Sequence, residues 1–269
     1  MDIVMMGASK AGRTSIAKVI FQKMVSKQTQ LLGETTKVES YDFRIQKLEF
    51  KLYDFPARYD MNEPPPNEQM ILKNAEALIF VLNPQADTSK ALDDFQNVYH
   101  YLRKRNRGRC SIFLFTNKAD IELSQQEARN EYQLKTKKRI NDDGIDVKEI
   151  DFHFTSIFDY SVFEGFSRVM QKMVACAPQL NKGLAHFACT SKIEKVYLFD
   201  LITKLYIATN DEKVVEPVKY EVCSELLDIF IDISFLYGND KQSSMVGEDA
   251  SNKIDQNRAT VKLNLDDSN

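Results

Sequence analysis

The chain opens on "DIVMM" at 2–6, an apolar run closed by Gly7. A short continuous apolar run that ends in a turn residue predicts a strand buried on both faces. "ALIFVLN" (77–83) and "SIFLFTN" (111–117) repeat that pattern, and "IDFHFTS" (150–156) adds one more strand. "FRIQ" (43–46) and "KLEFKLYDF" (47–55) predict two neighbouring strands. Between the strands lie helices. One, "RTSIAKVIFQKM" (13–24), opens straight off a glycine-bearing loop, and "SKALDDFQNVYHYLRKR" (89–105) carries apolar positions at helical spacing. "SQQEARNEYQLKTKKRI" (124–140) is a polar surface helix, and "SVFEGFSRVMQKMVACA" (161–177) is a further helix. Strands alternating with helices, several of them apolar throughout, predict an α/β fold with a mainly parallel sheet covered on both faces. This reading accounts for residues 1–178.

"APQLNKG" (177–183) reads as a linker to a second, smaller α+β domain over 184–269. There the order changes to a short helix, a hairpin of "EKVYLFD" (194–200) and "KLYIAT" (204–209), and a long helix over 217–237. In that helix Glu221, Glu225, Asp228 and Asp232 form one acidic stripe, and almost everything else is apolar. Such a helix is buried on more than one side, and the little chain left to cover it implies a partner. Residues 239–258 are polar and expected to be flexible, and "TVKLNL" (260–265) reads as a last strand.

The 269 residues suit one large or two modest domains, and 43% hydrophobic with 28% charged content is ordinary for a soluble globular protein. A net charge of -3 gives no reason to expect nucleic acid binding. Lys104, Arg105, Arg107 and Arg109 read as a solvated helix end, where cations suit the dipole. Cys110, Cys176, Cys189 and Cys223 show no CxxC spacing and read as reduced core residues of a cytosolic protein. The start has no basic region typical of a signal peptide, and no apolar run reaches membrane-spanning length. The three histidines show no metal spacing.

Candidate chemistry begins at "GASKAGRTS" (7–15), which fits the phosphate-loop pattern GxxxxGK[ST] except that Arg13 takes the lysine position. The other parts of a nucleotide site follow in order, each at a strand end. Asp54 in "YDFPA" stands where a carboxylate backs magnesium. In "TNKAD" (116–120), Asn117 and Asp120 can read a guanine edge while Lys118 packs on the ring. Ser156 and the backbone at Ile157, in "FTSIF", can support the base. Taken alone each is ordinary, Asp54 as a solvated acid and Ser156 as a turn residue. Together, in this order, they point to a guanine nucleotide. An unrelated P-loop kinase or ATPase fits less well, because "NKAD" reads guanine and no lid motif is present.

With "TSIAKVIFQKM", "TTKV" (35–38), "YDFPA", "TSIFDYSVFEGFSRVMQKM" and "IEKVYLFDLITKLYIAT" in place, the chain resembles the Rag-type small GTPases, of the C/D rather than the A/B kind. The resemblance implies a Ras-like domain followed by a roadblock-like domain, expected here to be cut short after "TVKLNL". It implies GTP or GDP with Mg²⁺ as cofactors and an A/B-type Rag as heterodimer partner. It further implies peripheral residence at a lysosomal or vacuolar membrane and amino-acid signalling to the target-of-rapamycin complex. By position, Ser9, Lys10, Ala11, Gly12, Arg13, Thr14 and Ser15 form the phosphate loop, with Thr14 as magnesium ligand. Thr35 falls on the switch threonine and Asp54 behind the metal; Asn117, Lys118, Asp120, Ser156 and Ile157 fall on base-reading positions. Asn117 replaces the family's histidine with the general small-GTPase choice.

Three departures touch the phosphates. Arg13 brings a planar fork to a slot shaped for an ammonium. Ala57 replaces a glycine, and an alanine there resists positive φ. Arg58 replaces the water-positioning glutamine and cannot accept a hydrogen bond from water. Two readings stay open: a slow guanine-nucleotide switch, and a pseudo-GTPase acting only as the structural half of a heterodimer.

Overall fold

The structure is a computed structural model that describes residues 1–45, 48–57, 59–61, 63–106, 109–120, 122–210 and 217–237. The expected last strand at 260–265, the polar stretch 239–258 and Arg58 lie outside these residues.

Residues 1–220 form one compact unit. Six strands make its main sheet: β1 (Asp2–Gly7), β2 (Glu39–Ile45), β3 (Leu48–Asp54), β4 (Ala75–Leu82), β5 (Ser111–Asn117) and β6 (Ile150–Thr155). Their spatial order is β2-β3-β1-β4-β5-β6, and only the β2–β3 pair is antiparallel. The helices are α1 (Arg13–Gln22), α2 (Pro66–Asn74), α3 (Thr88–Asn106), α4 (Gln126–Asp142), α5 (Ser161–Met173) and α6 (Ala177–Ser191).

The strand pleat assigns alternate residues of β1 to opposite faces. Ile3 and Met5 join Ile16, Ile20, Phe166 and Met170 of α1 and α5, whereas Val4 and Met6 join Leu72, Phe95 and Leu102 of α2 and α3. All four β1 side chains are buried, which explains why β1 reads as a continuous apolar run. The carboxyl ends of β1, β3, β5 and β6 therefore emerge from a rigid, two-sided core.

The hairpin β7 (Tyr197–Phe199) and β8 (Tyr206–Thr209) is antiparallel, as the sequence predicts. It packs on the same core: Leu205 and Ile207 join Phe166 and Met170. Ser167 Oγ accepts from the Tyr206 amide at 3.0 Å and donates to the Phe163 carbonyl at 2.7 Å. Tyr206 stacks obliquely with Tyr220, at the start of α7 (Pro217–Tyr237).

Several expectations change. "APQLNKG" is no linker but the first two turns of α6. Pro178 sits in the helix's first turn, where its missing N–H costs nothing. The α2 helix lies in a stretch for which the sequence reading names no element. Only Cys110 of the four free cysteines is a core residue; Cys176 and Cys189 are exposed and Cys223 is half-buried. Lys104, Arg105 and Arg109 are exposed, as a solvated helix end requires. Among the described residues no helix is long and apolar enough to cross a membrane.

The second unit begins at Glu221, and its described part is the rest of α7. Glu221, Glu225, Asp228 and Asp232 are all exposed, and so are the apolar Ile229 and Ile233.

Candidate functional site

Apart from Asp54, and from Arg58 outside the described residues, the nucleotide-site residues expected from the sequence, Ser9 to Ser15, Thr35, Asn117, Lys118, Asp120, Ser156 and Ile157, line one cavity of about 690 Å³. Asp54 lies at the end of β3, fully buried, and acts on the cavity through its neighbours.

The loop after β1 is shaped by two glycines. Gly7 has φ +150°, and a Cβ there would sit 2.2 Å from the Val81 carbonyl oxygen. Gly12 caps α1 in the left-handed region, φ +88°, with the Ile16 amide donating to its carbonyl at 2.9 Å. The amides of the first turn of α1 thus open toward the cavity. A helix N-terminus of this kind, with its unpaired N–H groups and positive dipole end, suits phosphate. Lys10 lies at the exposed tip with φ 59°, its carbonyl 3.5 Å from Asn83 Nδ2. Ser9 Oγ donates to Glu34 at 3.3 Å.

Thr14, Thr35 and Asp54 form a relay. Thr14 Oγ1 donates to Asp54 Oδ2 at 2.5 Å and lies 2.6 Å from Thr35 Oγ1. A hydroxyl has one proton, so Thr14 spends its own on Asp54 and Thr35 is the donor between the two. Two hydroxyl oxygens side by side, backed by a buried carboxylate, are an all-oxygen donor set that fits a small hard dication such as Mg²⁺.

Arg13 turns back beneath the loop and is only 7% exposed. Its Nη1 donates to the Gly7 carbonyl and lies 3.5 Å from the Ala8 carbonyl. Its Nε is 3.5 Å from Asp54 Oδ1, an ion pair without a hydrogen bond, since both atoms are buried and lack a hydrogen-bond partner. Burial pushes the Asp54 carboxyl up, and the Thr14 hydroxyl and the Arg13 charge only partly offset it. Burial likewise lowers the guanidinium, opposed by Asp54.

The part of the cavity where the sequence leads one to expect a base is built on β5 and β6. Asn117, 1% exposed, donates Nδ2 to the Ala11 carbonyl at 2.8 Å and accepts from Thr155 Oγ1 at 3.3 Å. It therefore ties the phosphate loop to the β5–β6 pair. Lys118 turns the chain with φ 63°, and the Ala119 amide reaches the Thr155 carbonyl at 3.2 Å. That turn brings Asp120 to the wall of the cavity, and its Oδ1 is buried with no hydrogen-bond partner. A buried carboxylate oxygen without a donor is costly, and a ligand with adjacent N–H groups would satisfy it. Ser156 is buried; its Oγ accepts from the Phe158 amide at 3.1 Å and its amide donates to Ser161 Oγ at 2.8 Å.

Two site features escape sequence reading. Ser26 Oγ donates to the Ile157 carbonyl at 2.5 Å, across 131 residues of chain, and no motif announces it. The Arg13–Asp54 pair joins two motifs that are read separately. One expectation also shifts: Ala57 lines the cavity but is absent from the residues with positive φ, so an alanine fits there without backbone strain.

Residues 2–227 match the Gtr1/RagA G protein conserved region. The chain is 34% identical to GTP-binding protein gtr2 of Schizosaccharomyces pombe, over 98% of this chain and 83% of that one. It is 34% identical to Ras-related GTP-binding protein C of Homo sapiens, over 97% of this chain and 65% of the relative. With Ras-related GTP-binding protein D of Mus musculus the identity is 35%, over 96% and 58%. The chain thus spans less than two thirds of the length of these two mammalian relatives. A Ras-like sheet, a glycine-shaped loop opening a helix and this breadth of likeness lead to one conclusion: the chain belongs to the Gtr1/RagA G protein family, on the side of gtr2 and the C and D proteins.

Proposed function

We propose that the protein binds guanine nucleotide with magnesium and serves as the C/D-type subunit of a Rag heterodimer. The observation that carries the nucleotide reading is that Asp120, with one carboxylate oxygen buried and partnerless, lines the same cavity as the loop after β1. Guanine offers N1–H and the 2-amino group side by side, which a single carboxylate can accept together; adenine offers no such pair. Asn117 holds the phosphate loop against the base end, and the amides at the start of α1 receive the phosphates. Thr14 and Thr35 would hold magnesium with Asp54 behind them, and the metal would supply positive charge to the β- and γ-phosphates.

Hydrolysis by such a site is slow on this reading, because Arg58 cannot orient water as a glutamine does. The partner is an A/B-type Rag. The exposed Ile229 and Ile233 of α7 support the need for a covering partner. Residence at a lysosomal or vacuolar surface through partners, and signalling to the target-of-rapamycin complex, follow from family membership. A second reading, a pseudo-GTPase acting only as a structural subunit, draws on one observation: the Arg13 charge is committed to Asp54 and to the Gly7 carbonyl.

Competition between GTP, GDP and ATP for the purified protein with its partner tests the nucleotide reading. Guanine nucleotides should win, and Asp120→Asn should weaken them by about 10–100-fold, the worth of one charge-assisted hydrogen bond, while raising affinity for xanthine nucleotides. Equal affinity for ATP and GTP in the unmutated protein would overturn it.

A further inference from the structure

The relation between Arg13 and Asp54 changes what the site asks of its metal. A carboxylate behind a magnesium site serves by its negative charge, which offsets the dication. Here that charge already faces a cation: Arg13 Nε lies 3.5 Å from Asp54 Oδ1, with 7% and 0% of the two residues exposed. The guanidinium is fixed on its other side by the Gly7 and Ala8 carbonyls through Nη1. Arginine stays protonated under all ordinary conditions, so this charge is permanent. The bonds of the guanidinium to the loop carbonyls run through Nη1, which leaves Nη2 as the arm that could donate to a phosphate oxygen, and Arg13 is one of the residues lining the cavity.

We infer that Arg13 provides, from within the protein, part of the positive charge that a bound nucleotide's phosphates would otherwise draw from magnesium, so that nucleotide is retained with little dependence on the metal. The inference rests on the guanine-nucleotide reading above. Two consequences of one pair act in the same direction. Asp54, partly neutralised, holds a dication less strongly, and the guanidinium, held under the loop by the Gly7 and Ala8 carbonyls, stays in place when the dication leaves. A lysine at position 13 would bring one compact ammonium with no second arm, and could not serve Asp54, the loop carbonyls and the phosphates together.

The test is the release of a fluorescent guanosine diphosphate from the full chain with its partner, in millimolar magnesium and then in excess chelator. The unmutated protein should release nucleotide no more than about threefold faster when magnesium is removed. Arg13→Lys should restore dependence, with chelator speeding release by roughly 10–100-fold, the range of one charge-assisted contact. A magnesium titration of nucleotide affinity in the unmutated protein needs no variant and should be nearly flat. A steep titration, or an equal chelator effect in both proteins, overturns the inference and leaves the nucleotide reading standing. Failure to bind guanine nucleotide under any condition overturns both.

Discussion

Gly12→Ala places one methyl group at the junction of the phosphate loop and the base end, and its cost can be worked from two separable causes. Gly12 has φ +88°, where a Cβ costs about 1–2 kcal/mol. The new Cβ would also lie 2.6 Å from Asn117 Nδ2. Asn117 is a side chain and could in principle move. However, it is 1% exposed and held at both ends, by the Ala11 carbonyl at 2.8 Å and Thr155 Oγ1 at 3.3 Å. Displacing it leaves a buried donor or acceptor unpaired, worth about 1–3 kcal/mol. The sum is about 2–5 kcal/mol. Gly144→Ala is the control, because Gly144 has φ +78° with nothing within 4 Å of its Cβ position. It should show the backbone cost alone. The difference between the two variants, centred near 2 kcal/mol, should lower the midpoint of thermal unfolding by roughly 4–8 °C more for Gly12→Ala. Nucleotide should also rescue Gly144→Ala but not Gly12→Ala, since only the latter breaks the tie between loop and base. Equal midpoints, with nucleotide binding intact in Gly12→Ala, would refute the idea that Asn117 is strung between the two halves of the site.

Two further outcomes follow from other parts of the molecule. Burial holds the His153 imidazole down at about 4, against the ordinary His value of 6.5, with Asp151 opposing and Arg168 and Lys172 reinforcing the shift; its Nε2 is buried and unpartnered. The unfolded chain then binds the proton first. Stability present above pH 6.5 is lost as pH falls toward 4, at most ~2 kcal/mol by pH 5 and about 1–2 allowing for the ring's partial exposure. Denaturant unfolding at pH 7 and pH 5 should show that loss in the unmutated protein and not in His153→Gln; parallel losses would remove His153 as the cause. For hydrolysis, Ala57→Gly with Arg58→Gln should raise single-turnover cleavage of bound GTP by at least about tenfold, the small end of what a catalytic contact contributes. A native rate already matching an activator-stimulated GTPase would show instead that the arginines promote cleavage.

What the sequence discloses and what it conceals divide along physical lines. Strands β1, β4 and β5 are legible because both faces are buried, so every position is apolar. The residues expected to read a base are legible because they fall in short runs at two strand ends, Asn117 to Asp120 at the end of β5 and Ser156 with Ile157 just after β6. Helix α2 is not, since three consecutive prolines precede its body and only Leu72 of its nine residues is buried. Helix α6 hides behind Pro178, Asn181 and Gly183, residues that read as a break although the proline lies in the tolerated first turn. The Arg13–Asp54 pair is invisible for another reason: its two ends are 41 residues apart, and only the β1–β3 register, with Met5 opposite Asp54, brings them together.

The hairpin's seat on the main core bears on where the molecule can be cut. A fragment ending at 178 would keep every residue of the candidate site, yet would strip Leu205 and Ile207 from Phe166 and Met170. It would also take from Ser167 the Tyr206 amide its hydroxyl receives, and leave helix α5 wet along a face built to be dry. Anyone seeking the smallest autonomous piece should therefore carry the chain at least to Tyr220, where the compact unit closes.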